Sequence, residues 1–162
     1  MSEFDSWKAQ EAAAYLNRVR KTLLDIQRLQ DEIDVQYSLL PPGLDYTRDR
    51  VKTPLRPDGV ERAVMRIFDL IETYASELSE CVEQRLMAVR AIDKLEDVRY
   101  KAVLTMYYVN GHSWEEIGTK PDGRPGLLSY SVQYCKELRA EALPLFWDVM
   151  PNEEKTRIPR AD

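Results

Sequence analysis

The chain has 162 residues and a mass of 18.9 kDa, with 23 Lys+Arg against 28 Asp+Glu and hence a formal charge of 23 − 28 = −5. A fold of that size buries roughly 70% of the surface its unfolded chain exposes, so a hydrophobic core suffices without a covalent or metal staple. The composition excludes several classes. Cys81 and Cys135 form no CxxC and stand apart from the single His112, which argues against a zinc site or a disulfide framework. No apolar run approaches the roughly eighteen residues of a membrane span, and the start MSEFDSWKAQ lacks the basic-then-apolar plan of a signal peptide, so a cytoplasmic chain with no membrane partner is expected. Net acidity argues against gripping nucleic acid over the whole surface but leaves room for a local basic patch.

All six glycines lie between Gly43 and Gly126, and the glycine-free stretches on either side predict long helices. From Ser6 to about Asp34 apolar residues follow a seven-residue repeat, with Ala12, Val19, Ile26 and Ile33 in one register and Leu16, Leu23 and Gln30 in the other. Arg18, Lys21, Asp25, Arg28 and Asp31 fill the other faces. Prolines and glycines from Val35 to Gly59 exclude helix there, and Arg48, Arg50, Lys52 and Arg56 make this loop the most basic stretch. A second helix is predicted from about Asp58, where Glu61 can close a capping box, with Val64, Ile71, Leu78, Arg85 and Ile92 against Phe68, Ala75, Val82 and Val89. Arg85 interrupts that seam, and Leu86 is the residue expected to fill the gap. This helix would be about 50 Å long. Two such helices read as an antiparallel, coiled-coil-like hairpin over residues 1–93, and the narrow seams call for a second copy, a homodimer.

Residues 94–150 change character. Leu95 to Val109 carries one apolar face, Asn110-Gly111 is a left-handed stop, and Ser113-Trp114-Glu115-Glu116 is a capping box that starts a short helix. A turn-rich loop, Thr119 to Gly126, follows. A last helix starts at Ser129 or Ser131 and buries Val132, Cys135, Leu138, Ala142 and Leu143, until Pro144 and Pro151 break the pattern. Residues 151–162 read as a polar tail. The architecture is therefore all-α, and three helices with a tight glycine turn outline a helix-turn-helix.

The string from Leu95 to Gly118, with an aromatic helix end at Tyr107-Tyr108, Gly111 and the capped Ser113-Trp114-Glu115-Glu116-Ile117, resembles the region of bacterial sigma factors that reads the −35 promoter element. Tyr130-Ser131 followed by Cys135, Leu138 and Ala142-Leu143 resembles the recognition helix of that module. Upstream, Tyr15-Leu16-Asn17-Arg18-Val19-Arg20 and Arg50-Val51-Lys52-Thr53-Pro54 resemble small phage and prophage late-gene regulators of the RinA/ArpU type. The resemblance implies a phage- or prophage-encoded transcription regulator that binds double-stranded DNA. The chain departs from that pattern in the longer turn Lys120 to Leu127, in Gly118 where a small Ala is usual, and in a reading helix whose Lys136 and Arg139 are balanced by Glu137 and Glu141.

The residues expected to read bases are Gln133, Tyr134 and Lys136, with Arg139 further along. Gln suits adenine, and Lys suits guanine O6/N7. Ser131 caps the helix, and Lys120, Arg124, Arg99 and Lys101 are candidate phosphate contacts. On an amphipathic helix such residues are also simply a solvated face. The neutral helix and acidic total motivate a second reading, in which the module binds RNA polymerase or another protein without touching DNA. No phosphate loop, catalytic triad or metal motif is present, so neither enzymatic activity nor a cofactor is expected, and His112 reads as a turn residue.

Overall fold

The computed structural model describes residues 2–41 and 59–155. The box at Asp58, the basic loop, the Arg50 to Pro54 segment and most of the tail lie outside them. The described chain is all-helical: α1 (Glu3–Ser38), α2 (Gly59–Asp93), α3 (Val98–Leu104) continued by a π-helical turn (Thr105–Val109), α4 (Trp114–Ile117), α5 (Val132–Val149) and a 3-10 turn (Asn152–Glu154). None of these helices is long and apolar enough to cross a membrane.

By contact the chain forms two compact units, one of Met1–Leu23 with Val82–Asp162 and one of Leu24–Cys81, and the division runs through both long helices. Among the described residues the smaller unit holds the second half of α1 and most of α2, with Leu29 and Ile71 buried. In the larger unit Ala12, Leu16 and Val19 of α1, Ala88 and Ile92 of α2, Leu104 and Tyr108 of α3 and its π-turn, and Leu143 and Phe146 of α5 share one core. A second, smaller core joins Val103, Ile117, Cys135 and Leu138, with Trp114 and Tyr134 packed on it.

The heptad pattern holds, with one register shifted by a residue. In α1 Leu29 is buried and Gln30 exposed, and Thr22 is buried with its hydroxyl donating to the Val19 carbonyl. In α2 Ala75 and Val82 are exposed, whereas Tyr74, Cys81 and Ala88 turn inward. A seam can alternate three-then-four or four-then-three, and burial here selects the first spacing in both helices. Leu86 does not fill the gap at Arg85. It is 43% exposed, and Arg85 itself occupies the position. α1 also runs to Ser38, four residues into the stretch where helix was excluded, because Val35 to Ser38 precede the first proline.

Two further boundaries differ. α3 begins at Val98 and not at Leu95, because the Asp97 side chain accepts the Arg99 N–H and caps the helix there. α5 continues through Pro144 to Val149. An interior proline costs about 3 kcal/mol, but the extra turn buries Phe146, Trp147 and Met150, worth about 2–3 kcal/mol each. The deprived carbonyl belongs to the exposed Ala140, where water can bond it. The helix stops at Met150, whose ψ of 160° is the extended conformation imposed by the following Pro151.

Phe146→Ala is expected to lower stability by about 3–5 kcal/mol in urea denaturation, while its 48%-exposed neighbour Leu145→Ala shifts it by less than about 0.5 kcal/mol. Equal effects would show that α5 does not carry its apolar face past Pro144.

Candidate nucleic-acid interface

α4 is one turn long, so its ends need external partners. At its start the Ser113 hydroxyl accepts the Glu116 N–H at 3.3 Å, the expected cap. Beside it His112 Nδ1 lies 2.8 Å from Glu116 Oε2. His112 is therefore more than a turn residue. At the end of α4 the loop folds back, and the N–H groups of Leu127 and Leu128 donate to the carbonyls of Glu116 and Ile117 at 3.0 and 2.8 Å. Gly118 is the C-cap with ψ 158°, outside the helix, so glycine carries no helix-propensity penalty there. Its close approach is real: a Cβ at Gly118 would lie 2.6 Å from Val132 Cα, and one at Gly126 would collide with the Gly118 carbonyl.

The long loop is tied down at both ends. Lys120 N–H donates to Arg124 C=O at 3.0 Å around a turn that holds Gly123 at φ +87°. Thr119 N–H donates to Tyr130 C=O at 2.7 Å, and Thr119 pairs with Ser131 in an isolated parallel bridge. The bridge sets the start of α5, where Ser131 accepts the Tyr134 N–H at 3.1 Å, which makes Ser131 the N-cap in preference to Ser129.

Of the expected base-reading residues, Gln133 and Lys136 are exposed and share a face with Glu137 and Ala140 at the i, i+3, i+4, i+7 spacing. Tyr134 is half-buried, edge-on to Tyr130 at 5.1 Å, with its hydroxyl accepting from Arg99 Nη1 at 2.8 Å. Arg139 points away from the reading face. Half-buried, it donates from Nε to the Tyr108 hydroxyl at 2.7 Å. Glu141 accepts from the Tyr100 hydroxyl at 2.9 Å, so Glu137 is the acid left beside Lys136.

The candidate phosphate contacts divide in the same way. Arg99 is forked onto Asp97, with Nη2 at 2.8 Å and Nε at 3.2 Å, and this pairing holds the Asp97 carboxyl below the usual range. Arg124 pairs with Asp122 at 3.1 Å. Lys101 and Lys120 are half-buried, with no carboxylate partner among the described residues. Lys120, Ser131 and Gln133 come together around an open hollow of about 470 Å³ that Thr119 and Ser129 also line. Those two hydroxyls are absent from the expected set, since the fold-back of the loop and the Thr119–Ser131 bridge bring them together, and neither leaves a periodic trace in a sequence.

The module is anchored from behind. Trp114 stacks on Tyr107 at 4.2 Å and 13°, Arg20 Nε donates to the Tyr107 carbonyl at 3.1 Å, and Arg85 Nη2 donates to the Val109 carbonyl at 2.6 Å. Arg85 Nη1 is buried without an acceptor among the described residues, and burial lowers the guanidinium's pKa. Both cysteines are unpaired, and no cluster of His, Cys, Asp or Glu among the described residues is placed to hold a metal ion. Compared with known protein families, curated proteins and solved structures, the chain matches none.

Its hydrogen bonds to His112 and then to Ser113 hold the Glu116 carboxyl below the ordinary glutamate range. A depressed carboxylate contributes stability that is present above its unfolded pKa and is lost as pH falls through the folded value. An NMR titration should find the Glu116 midpoint below that of a free glutamate, and His112→Ala should move it back up toward about 4.3. An unmoved midpoint would show that His112 does not engage Glu116. Independently, Gly126→Ala should destabilise the chain by about 2 kcal/mol or more in urea, because only backbone could give way.

Proposed function

We propose that this chain is a phage- or prophage-encoded transcription regulator acting inside a bacterial cell, which binds double-stranded DNA with a sigma-like helix-turn-helix and dimerises through an antiparallel hairpin of α1 and α2. The observation that carries this reading is the start of α5, capped by Ser131, which exposes Gln133 and Lys136 from a helix seated on the small core of Val103, Ile117, Cys135 and Leu138. A helix presented by its first two turns is the geometry by which such modules enter the major groove. Gln133 would take adenine, Lys136 guanine O6/N7, and Glu137 on the same face would accept from cytosine N4. Lys120, Arg124 and Lys101 would meet phosphates, and Arg124 would first leave Asp122, an exposed pairing worth at most about 1 kcal/mol.

A second reading, an interaction module for RNA polymerase or another protein, is favoured by one observation: both arginines beside the reading helix, Arg99 and Arg124, already hold carboxylates.

Fluorescence anisotropy with fragments of the source genome separates the two. The DNA reading expects a selected duplex to bind with a slope of log K against log salt of about −5, the value for three phosphate contacts from each of two protomers. It also expects Lys136→Glu to weaken every duplex and Gln133→Ala to relax discrimination at one base pair. No binding even near 50 mM salt would end the DNA reading. A polymerase complex that survives Lys136→Glu would then support the other.

A further inference from the structure

At the far end of α5 from Gln133, the last turns of α2 and α5 enclose a second open hollow of about 470 Å³. Its apolar lining includes Ala91, Val149 and Met150, and Met87 stands at its rim 36% exposed. Arg90 in the last turn of α2 and Lys94 just past its end at Asp93 rise beside it, both exposed and both without an ion-pair partner among the described residues. The carboxylate that borders the same hollow, Asp148, is already engaged by Lys8 Nζ at 2.8 Å. The hollow is thus a positive, apolar-lined site on a chain whose total charge is −5.

Two bases at a helix C-terminus also complement the macrodipole. That role needs neither the apolar lining nor an exposed methionine. Nucleic acid would satisfy the two charges and leave the apolar lining unused, because a duplex backbone presents phosphates without apolar side chains. A peptide that carries carboxylates around one apolar side chain satisfies both, and Met87 and Met150 are the adaptable side chains that such surfaces favour.

We infer that this hollow docks an acidic, amphipathic segment of a partner protein, with its carboxylates on Arg90 and Lys94 and one apolar side chain against Ala91, Val149 and Met150. The surface lies about 20 Å along α5 from the Gln133 and Lys136 face, so the two faces can be engaged together and each reading fails independently.

The test is selection of a displayed library of short random peptides on the full chain, followed by affinity measurement on the chain and on Arg90→Glu/Lys94→Glu. Both positions are exposed, and circular dichroism checks that the variant folds. The inference expects enriched peptides in which Asp or Glu flanks an apolar residue, weakened at least about tenfold by the double reversal. Met87→Ser should weaken them while leaving the charges in place. It is overturned if no peptide is enriched, if the enriched peptides bind the reversed variant equally well, or if the same reversal abolishes binding of a duplex oligonucleotide, which would assign the two bases to nucleic acid.

Discussion

The larger unit is organised around the five residues of the π-turn, Thr105–Val109, which α1 to α5 all meet. The turn widens so that Asn110 N–H reaches the Thr105 carbonyl, five residues back, at 2.8 Å. Helix termini leave carbonyls without partners, and here α1 and α2 supply two of them: Arg20 bonds the Tyr107 carbonyl and Arg85 the Val109 carbonyl. The side chains of Tyr107 and Tyr108 then diverge, one stacking on Trp114 of α4 and the other accepting Arg139 of α5. Gly111, at φ +74°, lets the chain reverse against Leu23, which a Cβ there would strike. Two adjacent tyrosines thus tie α4 and α5 to the turn.

This arrangement explains Arg85. A cation in a heptad seam looks like an interruption, and its neighbour Leu86 looks like the repair, as long as the seam is judged by hydropathy alone. The carbonyl that Arg85 bonds belongs to a residue 24 positions away, and no local pattern announces it. The same holds along the chain. Helix type and approximate extent were legible for α1, α2 and α5, because apolar spacing reports a helix directly. The choice of Leu29 over Gln30 was not, because three-four and four-three spacings are both compatible with the repeat until the neighbouring surface selects one. Pro144 misled for a different reason. Its local penalty is fixed, while the compensating burial of Phe146 and Trp147 depends on a core formed with Tyr15 and Trp7 of α1.

At the candidate interface the legible residues were those whose role is local. Ser131 and Ser113 cap the helices they precede, as their positions announce. Gln133 and Lys136 are exposed because the helix period puts them opposite Cys135 and Leu138. Tyr134, Arg139 and Glu141 were harder, since each is bound by a group from α3 or its π-turn, at Arg99, Tyr108 and Tyr100. A helical wheel assigns such residues to the flank of the apolar face, where solvent and a tertiary partner are equally compatible with the pattern. The hydroxyls of Thr119 and Ser129 were illegible because a loop turn and a bridge bring them to the hollow.

These partners reshape the electrostatics of the proposed reading helix. By sequence its Lys136 and Arg139 are balanced by Glu137 and Glu141. With Glu141 held by Tyr100 and Arg139 held by Tyr108, the polar part of the outward face reduces to Gln133, Lys136 and Glu137, an amide that both donates and accepts, a cationic donor and an acceptor. Such a face has little to offer a uniform row of phosphates and more to offer base edges, whose donors and acceptors alternate. A regulator built on it would take its counterion release from the flanking Lys120, Arg124 and Lys101 and its specificity from the pairing of two such faces in a dimer. The acidity of the whole chain is then consistent with DNA recognition, since it suppresses non-specific binding without opposing the contacts that discriminate between sites.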